Sequence, residues 1–180
     1  FDPDGEIKVV AAALYAGSHL SHARLLELAR AMSTEERIRV LCTYVGEREN
    51  RRHRPGRAFE HATYTFDILS DYGAFRDLQR HRMLTLDWQD LSTHHGYTRP
   101  DVIEAVGALS DWERVMDEAA DLSEQLTGCY SSLVAQYPVS MAYRIRFYMQ
   151  MNAREAMHVI ELRTAPQGHP AYRRVCQKMH

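Results

Sequence analysis

Tyr143-Arg144-Ile145-Arg146-Phe147-Tyr148-Met149-Gln150-Met151-Asn152-Ala153-Arg154 decides the fold. From Tyr143 to Met151 every second residue is large and apolar, and Arg144, Arg146, Tyr148 and Gln150 stand between them. That period of two is a strand with one covered face. At Asn152 the period breaks. Asparagine is a favoured helix cap, so the strand is expected to run straight into a helix reaching about Thr164, which Pro166-Gln167-Gly168-His169-Pro170 then ends.

Phe59 to Leu69 alternates in the same way. Ala62, Tyr64, Phe66 and Ile68 share one face; Thr63, Thr65 and Asp67 share the other. Two strands with one polar face each imply a largely antiparallel sheet. Outward from these, Ile7-Lys8-Val9-Val10 within Gly5 to Tyr15 reads as a further strand, with a turn at Gly17-Ser18. His19 to Met32 has helical spacing. Ser33-Thr34-Glu35-Glu36 is a capping box opening a helix to Val45, and the two helices are expected to form an antiparallel pair. Gly73 to His81 reads as a short helix. Thr98-Arg99-Pro100-Asp101 starts another. Ser110-Asp111-Trp112-Glu113 is a second capping box, opening a long helix to about Ala135. A last helix covers Ala171 to His180. The expectation is one α+β domain over residues 1–180, a mostly antiparallel sheet flanked by helices.

A length of 180 residues can bury a real core. A net charge of -2 implies no general affinity for nucleic acid or anionic membrane, so any anion site must be local. No apolar run approaches the roughly 20 residues of a membrane span. Cys42, Cys129 and Cys176 are scattered and odd in number, as expected of reduced thiols in a cytoplasmic protein. Phe1-Asp2-Pro3-Asp4-Gly5 lacks signal-peptide features and an initiating Met, and Cys176 to His180 stops in mid-helix. The chain therefore reads as a fragment of a longer one.

The densest polar constellation is Arg80-His81-Arg82-Met83-Leu84-Thr85, followed by a loop from Leu86 to Tyr97 that carries hydroxyls, carboxyls, an amide and two more histidines. Two arginines flanking a histidine offer forked donors suited to phosphate or carboxylate. The same residues also suit a helix end, where cations meet the negative pole of the dipole. Glu47 to Arg57 is rich in arginine and broken by Pro55-Gly56; it reads as a loop near the site, either solvated or touching phosphate. On the helix after Asn152, Arg154 and His158 share a face; a solvated face is the bland alternative. No zinc spacing and no HExxH pattern occurs, so no metal site is expected.

Arg80-His81-Arg82, two residues and Thr85 resemble the Arg-His-Arg, two residues, Ser signature of flavin-dependent thymidylate synthases. Phe59-Glu60-His61 with Phe66, and Asn152-Ala153-Arg154 with Glu161-Leu162-Arg163, resemble two further family motifs in the right order and spacing. The resemblance implies a homotetramer with sites built between subunits. It implies reductive methylation of dUMP to dTMP, with methylenetetrahydrofolate as carbon donor, FAD as hydride carrier and NADPH as reductant. Residue by residue it makes Arg80, His81, Arg82, Met83, Asn152, Arg154 and His158 cofactor-binding. It makes Arg80, Gln89, Ser92 and Arg163 nucleotide-binding, with Arg163 also the catalytic candidate that polarises the base. His53 is the nearest match to a family histidine. Nucleotide and folate are the implied partners.

The departures fall on the nucleotide half. After Ser92 come Thr93-His94-His95-Gly96-Tyr97, without the family's arginine two residues on. A second family arginine is replaced within Ser132 to Ala135, Gln89 or a neighbour stands for a glutamate, and Asp77 puts an acid near the nucleotide. Each lost charge-assisted contact costs about 1.5–3 kcal/mol, so two would weaken the nucleotide by roughly two to four decades. Two readings follow. One is a synthase with a rebuilt phosphate grip, using His94, His95 or an arginine of the Arg51 to Arg57 stretch. The other is a diverged FAD-binding domain without synthase activity, a regulatory or structural half of a duplicated protein.

Overall fold

The computed structural model describes residues 2–180. Its centre is a three-stranded antiparallel sheet in the order β1-β3-β2, with β1 Thr63–Asp71, β2 Thr85–Trp88 and β3 Arg144–Asn152. Thr63 pairs with Asn152 and Asp71 with Arg144; on the other side Thr85 pairs with Gln150. Both alternating stretches are therefore strands, and their apolar faces point the same way. Ile145, Phe147, Met149 and Met151 are buried. Arg146 and Tyr148 lie on the opposite, polar face, where Arg146 pairs with Asp67 at 3.1 Å.

The covered face is roofed by α4 Tyr72–Leu78, α8 Ala153–Arg163 and α9 Pro170–Met179. They bring Phe75, Leu78, Ala156, Val159 and Cys176 onto the strand residues as one core. The Phe75 and Phe147 rings meet with centroids 4.8 Å apart. Asn152 caps α8 as its side chain predicts, accepting the Glu155 N–H at 2.9 Å.

Residues 5–15 correct the reading. Gly5–Tyr15 is α1, not a strand. The β-branched Ile7, Val9 and Val10 cost a helix only fractions of a kcal/mol each. Burial of Val9, Val10 and Ala11 decides the conformation. α2 His22–Ala31 and α3 Thr34–Val45 do not form a pair of their own; each rests on α1, through a cluster of Val10, Ala11, Leu25 and Ala29 with Val40 and Leu41 at its edge. The Ser33 capping box is present in full.

Three further differences concern boundaries. The stretch before β1 is a 3-10 turn, Arg57–His61, because Ala58 N–H donates to the Tyr44 hydroxyl at 3.0 Å and pins it. A Cβ at Gly56, just before it, would lie 2.2 Å from the Tyr44 hydroxyl, so a side chain there would have to displace that ring. The third strand is Thr85–Trp88, expected as loop; Leu86 supplies its inward apolar contact. The long helix is α6 Leu109–Cys129, beginning without a Ser110 box. Tyr130 leaves helical geometry and Ser131 caps a separate short α7, Ser132–Ala135. α5 Asp101–Ala105 is preceded by Pro100 as its cap residue. Among the described residues no helix is long and apolar enough to cross a membrane.

Candidate functional site

A cleft of about 550 Å³ opens at the start of α8. Asn152, Arg154, Glu155 and His158 form one wall. The loop of residues 46–56 forms the other, with Arg48, Arg51 and Arg54 facing in. Met83, just past α4, closes an end. Four residues proposed for one ligand from the sequence therefore share one cavity.

Its arginines are mostly fixed. Arg154 donates to the Pro55 carbonyl at 3.0 Å and to Glu60 at 2.7 Å. Glu60 also pairs with Arg57, and that hydrogen bond, helped by Arg154, holds its carboxyl below the usual range. Arg48 reaches across with both terminal nitrogens to Glu161, which raises its own pKa further. These bonds fasten the loop to α8. The reading of Glu47 to Arg57 as a loop near the site agrees with this placement. His53 points elsewhere: its ring faces Glu49 and Asn50.

Behind the cleft lies the Arg-His-Arg histidine. The His81 side chain is only 6% exposed. Its Nε2 accepts the Arg163 Nε–H at 2.9 Å. A guanidinium nitrogen always carries its proton, so Nε2 is bare and the proton of the neutral ring sits on Nδ1. Nδ1 lies 3.6 Å from Glu155. Burial first, then Arg163 and His158, push the His81 pKa down to about 4. Burial raises that of Glu155. His81, Glu155 and His158 offer ligand atoms within 4.8 Å of one another. Arg163 works against an ion there, because its donation keeps a proton on the nitrogen that would have to coordinate.

Arg163 itself is held from three sides. It donates to the Asp77 carbonyl at 2.7 Å, lies 5.2 Å over the Tyr172 ring and binds His81. Arg80 is exposed and turns to the Asp77 carboxylate at 3.5 Å. Arg82 is exposed and lines no part of the cleft. Gln89 and Ser92 lie apart from all of these, in a hollow of about 970 Å³ between the residue 89–95 loop and α6. His94 and His95 line it too, but so do Asp90, Asp121 and Glu124, and no arginine does. Within one protomer the two halves of the sequence-derived site are thus separate. Trp88 is half exposed and leans on Phe75 at 5.5 Å. Glu60 and Glu161 stand in the motifs quoted from the sequence and Glu155 lies on the same helix as Glu161, but sequence reasoning gives none of the three a role at the site. Glu155 was in principle legible, since it sits one residue past Arg154 in the first turn of a capped helix.

Comparison with known proteins agrees with this architecture. A UPF0159 protein of Chlamydia pneumoniae is 41% identical over 174 residues, covering 97% of this chain and 33% of that protein. One from Thermoplasma acidophilum is 36% identical, covering 96% of this chain and 35% of its own length. The chain thus spans about a third of the length of the curated relatives it matches. In structure it is similar to the UMP/dUMP methylase PolB of Streptomyces cacaoi bound with 5-Br dUMP, at TM-score 0.73 and 20% identity, over 97% of this chain and 82% of that one. The sequence model of the thymidylate synthase complementing protein family matches residues 2–180, and the chain belongs to that family.

Proposed function

We propose that this chain binds FAD in the α8 cleft and belongs to an FAD-dependent thymidylate synthase-like protein of the cytoplasm, which methylates dUMP to dTMP with methylenetetrahydrofolate and NADPH. The observation that carries the reading is the meeting of Met83, Asn152, Arg154 and His158 in one cavity, with His81 directly behind. The donor set fits the cofactor: guanidinium groups for phosphate, a capped helix start for further negative charge, and Met83 for an apolar ring face. The flavin, when bound, supplies hydride chemistry and the folate supplies the carbon. The chain's own part is binding and orientation. Asn152 and Arg154 present donors from a rigid helix end, and Arg163, held by His81 and by both the carbonyl and the carboxylate of Asp77, is the residue assigned to the nucleotide base. Arg80, Arg82, Gln89 and Ser92 lie outside this cleft, so their roles require a neighbouring copy in a homotetramer.

A second reading is favoured by the hollow around Gln89 and Ser92. Its lining of Asp90, Asp121 and Glu124 without an arginine suits a nucleotide phosphate poorly. On that reading the chain is an FAD-binding part of a longer protein without synthase activity of its own. Tritium release from C5 of dUMP separates the two. Visible flavin absorbance after addition of FAD tests what they share. Arg154→Ala is expected to weaken FAD about 10- to 100-fold, the loss of one charge-assisted contact. Absence of any flavin binding by the intact protein would overturn both readings.

A further inference from the structure

The cleft at α8 carries five arginines, Arg48, Arg51, Arg54, Arg57 and Arg154, against three glutamates, Glu60, Glu155 and Glu161. The difference is a formal excess of two positive charges, on a chain whose net charge is -2. The excess is not spread evenly. Arg48 is taken by Glu161, and Arg57 and Arg154 by Glu60. Among the described residues, Arg51 and Arg54 face the cleft with no side-chain hydrogen bond or ion pair. They are carried on a loop that the Arg48 and Arg154 bonds fasten in place. The motif that the sequence offers for phosphate does not supply these cations: Arg80 turns to Asp77, Arg82 is exposed and lines no part of the cleft, and the neutral His81 is buried.

We infer that Arg51 and Arg54 form a diphosphate clamp, which takes the pyrophosphate diester of a dinucleotide or the phosphates of a nucleoside diphosphate. Two forked guanidinium groups match two phosphoryl groups in number, and their charge matches the two negative charges of a pyrophosphate diester. Among the described residues, the ion-paired arginines shape the walls, Arg154 with one terminal nitrogen still without a hydrogen bond, and leave Arg51 and Arg54 as the two wholly unpaired cations for the ligand. The inference deepens the FAD reading and rests on it for the identity of the rest of the ligand.

The test uses the intact chain and three probes, FAD, riboflavin and ADP, with binding measured by calorimetry and flavin fluorescence. The variant is R51A/R54A, its control R52A on the same loop, outside the cleft. Because Arg51 and Arg54 have no partners, the double variant should melt like the parent. FAD and ADP should each weaken about 100- to 10,000-fold, riboflavin should be unchanged, and R52A should bind all three as the parent does. R51K/R54K should recover part of the loss, since lysine keeps charge but not the fork. FAD and ADP affinities that are unaltered in R51A/R54A overturn the clamp, as does an equal loss for riboflavin. If no flavin binds but ADP binds in an Arg51- and Arg54-dependent way, the cofactor reading falls and the clamp stands. If neither FAD nor ADP binds, both fall.

Discussion

His81 shows how much one residue's protonation carries. Its neutral form is required by the Arg163 N–H on Nε2, and its pKa of about 4 lies below the ordinary 6.5. Between those values the unfolded chain binds a proton that the folded chain refuses. The contribution to stability is therefore fully present above about pH 6.5 and is lost as the pH falls toward 4, by up to about 3 kcal/mol. Glu155 acts in the opposite sense: its pKa is raised, so acidification through its range favours the folded state and offsets part of the loss. Denaturant titrations at several pH values check this. Stability should fall less steeply between pH 6.5 and 4.5 in His81→Gln, whose amide oxygen can still accept from Arg163. In the sequence Arg-His-Arg reads as three adjacent cationic or titratable side chains at a helix end, suited to an anion or to the helix dipole. Their differing fates were not legible there, because what fixes His81 is Arg163, 82 positions later.

At the scale of elements, two look-alike capping boxes diverge. Ser33 accepts the Glu36 N–H at 3.2 Å and the Glu36 carboxylate accepts the Ser33 N–H at 2.8 Å. Ser110 lies inside α6, whose cap residue is Ala108 without a side-chain bond. Ser33→Ala should therefore lower the unfolding free energy by about 1 kcal/mol, while Ser110→Ala should leave it within about 0.5 kcal/mol. Equilibrium unfolding of both variants decides it. The elements most legible in sequence were those with local signatures: the alternation of β1 and β3, the Ser33 box and the Asn152 cap. α1 and β2 were misread because their state depends on distant neighbours. Val10 and Ala11 are helical on the strength of Leu25 and Ala29, and Thr85–Trp88 is a strand because β3 offers an edge.

For the whole molecule, the separation of the α8 cleft from the Gln89 and Ser92 hollow has a measurable corollary. If a homotetramer joins them across subunits, Arg154→Ala and Ser92→Ala chains, each impaired alone, should complement when mixed. Random pairing leaves about a quarter of shared sites with both residues intact. dUMP tritium release in the mixture should rise accordingly above either variant, and an unchanged sum would place the whole site in one chain. Of the residues the sequence motifs name, Met83, Asn152, Arg154 and His158 line one cleft at α8. The division of the site into two places depends on the course of the chain through β2 and α6, which no short motif encodes.

Asn152 is at once the last rung of β3, opposite Thr63, and the cap of α8. One wall of the cleft is thus continuous with the central ladder through Asn152 and with the hydrogen-bonded turns of α8, so its amides should exchange slowly. The rim, residues 46–56, is tied down by side-chain bonds rather than by a ladder. Protection against exchange should be graded across a single cavity, deep and cooperative on one wall and shallow on the other. A ligand would then do its ordering at the rim, against a wall that was already set.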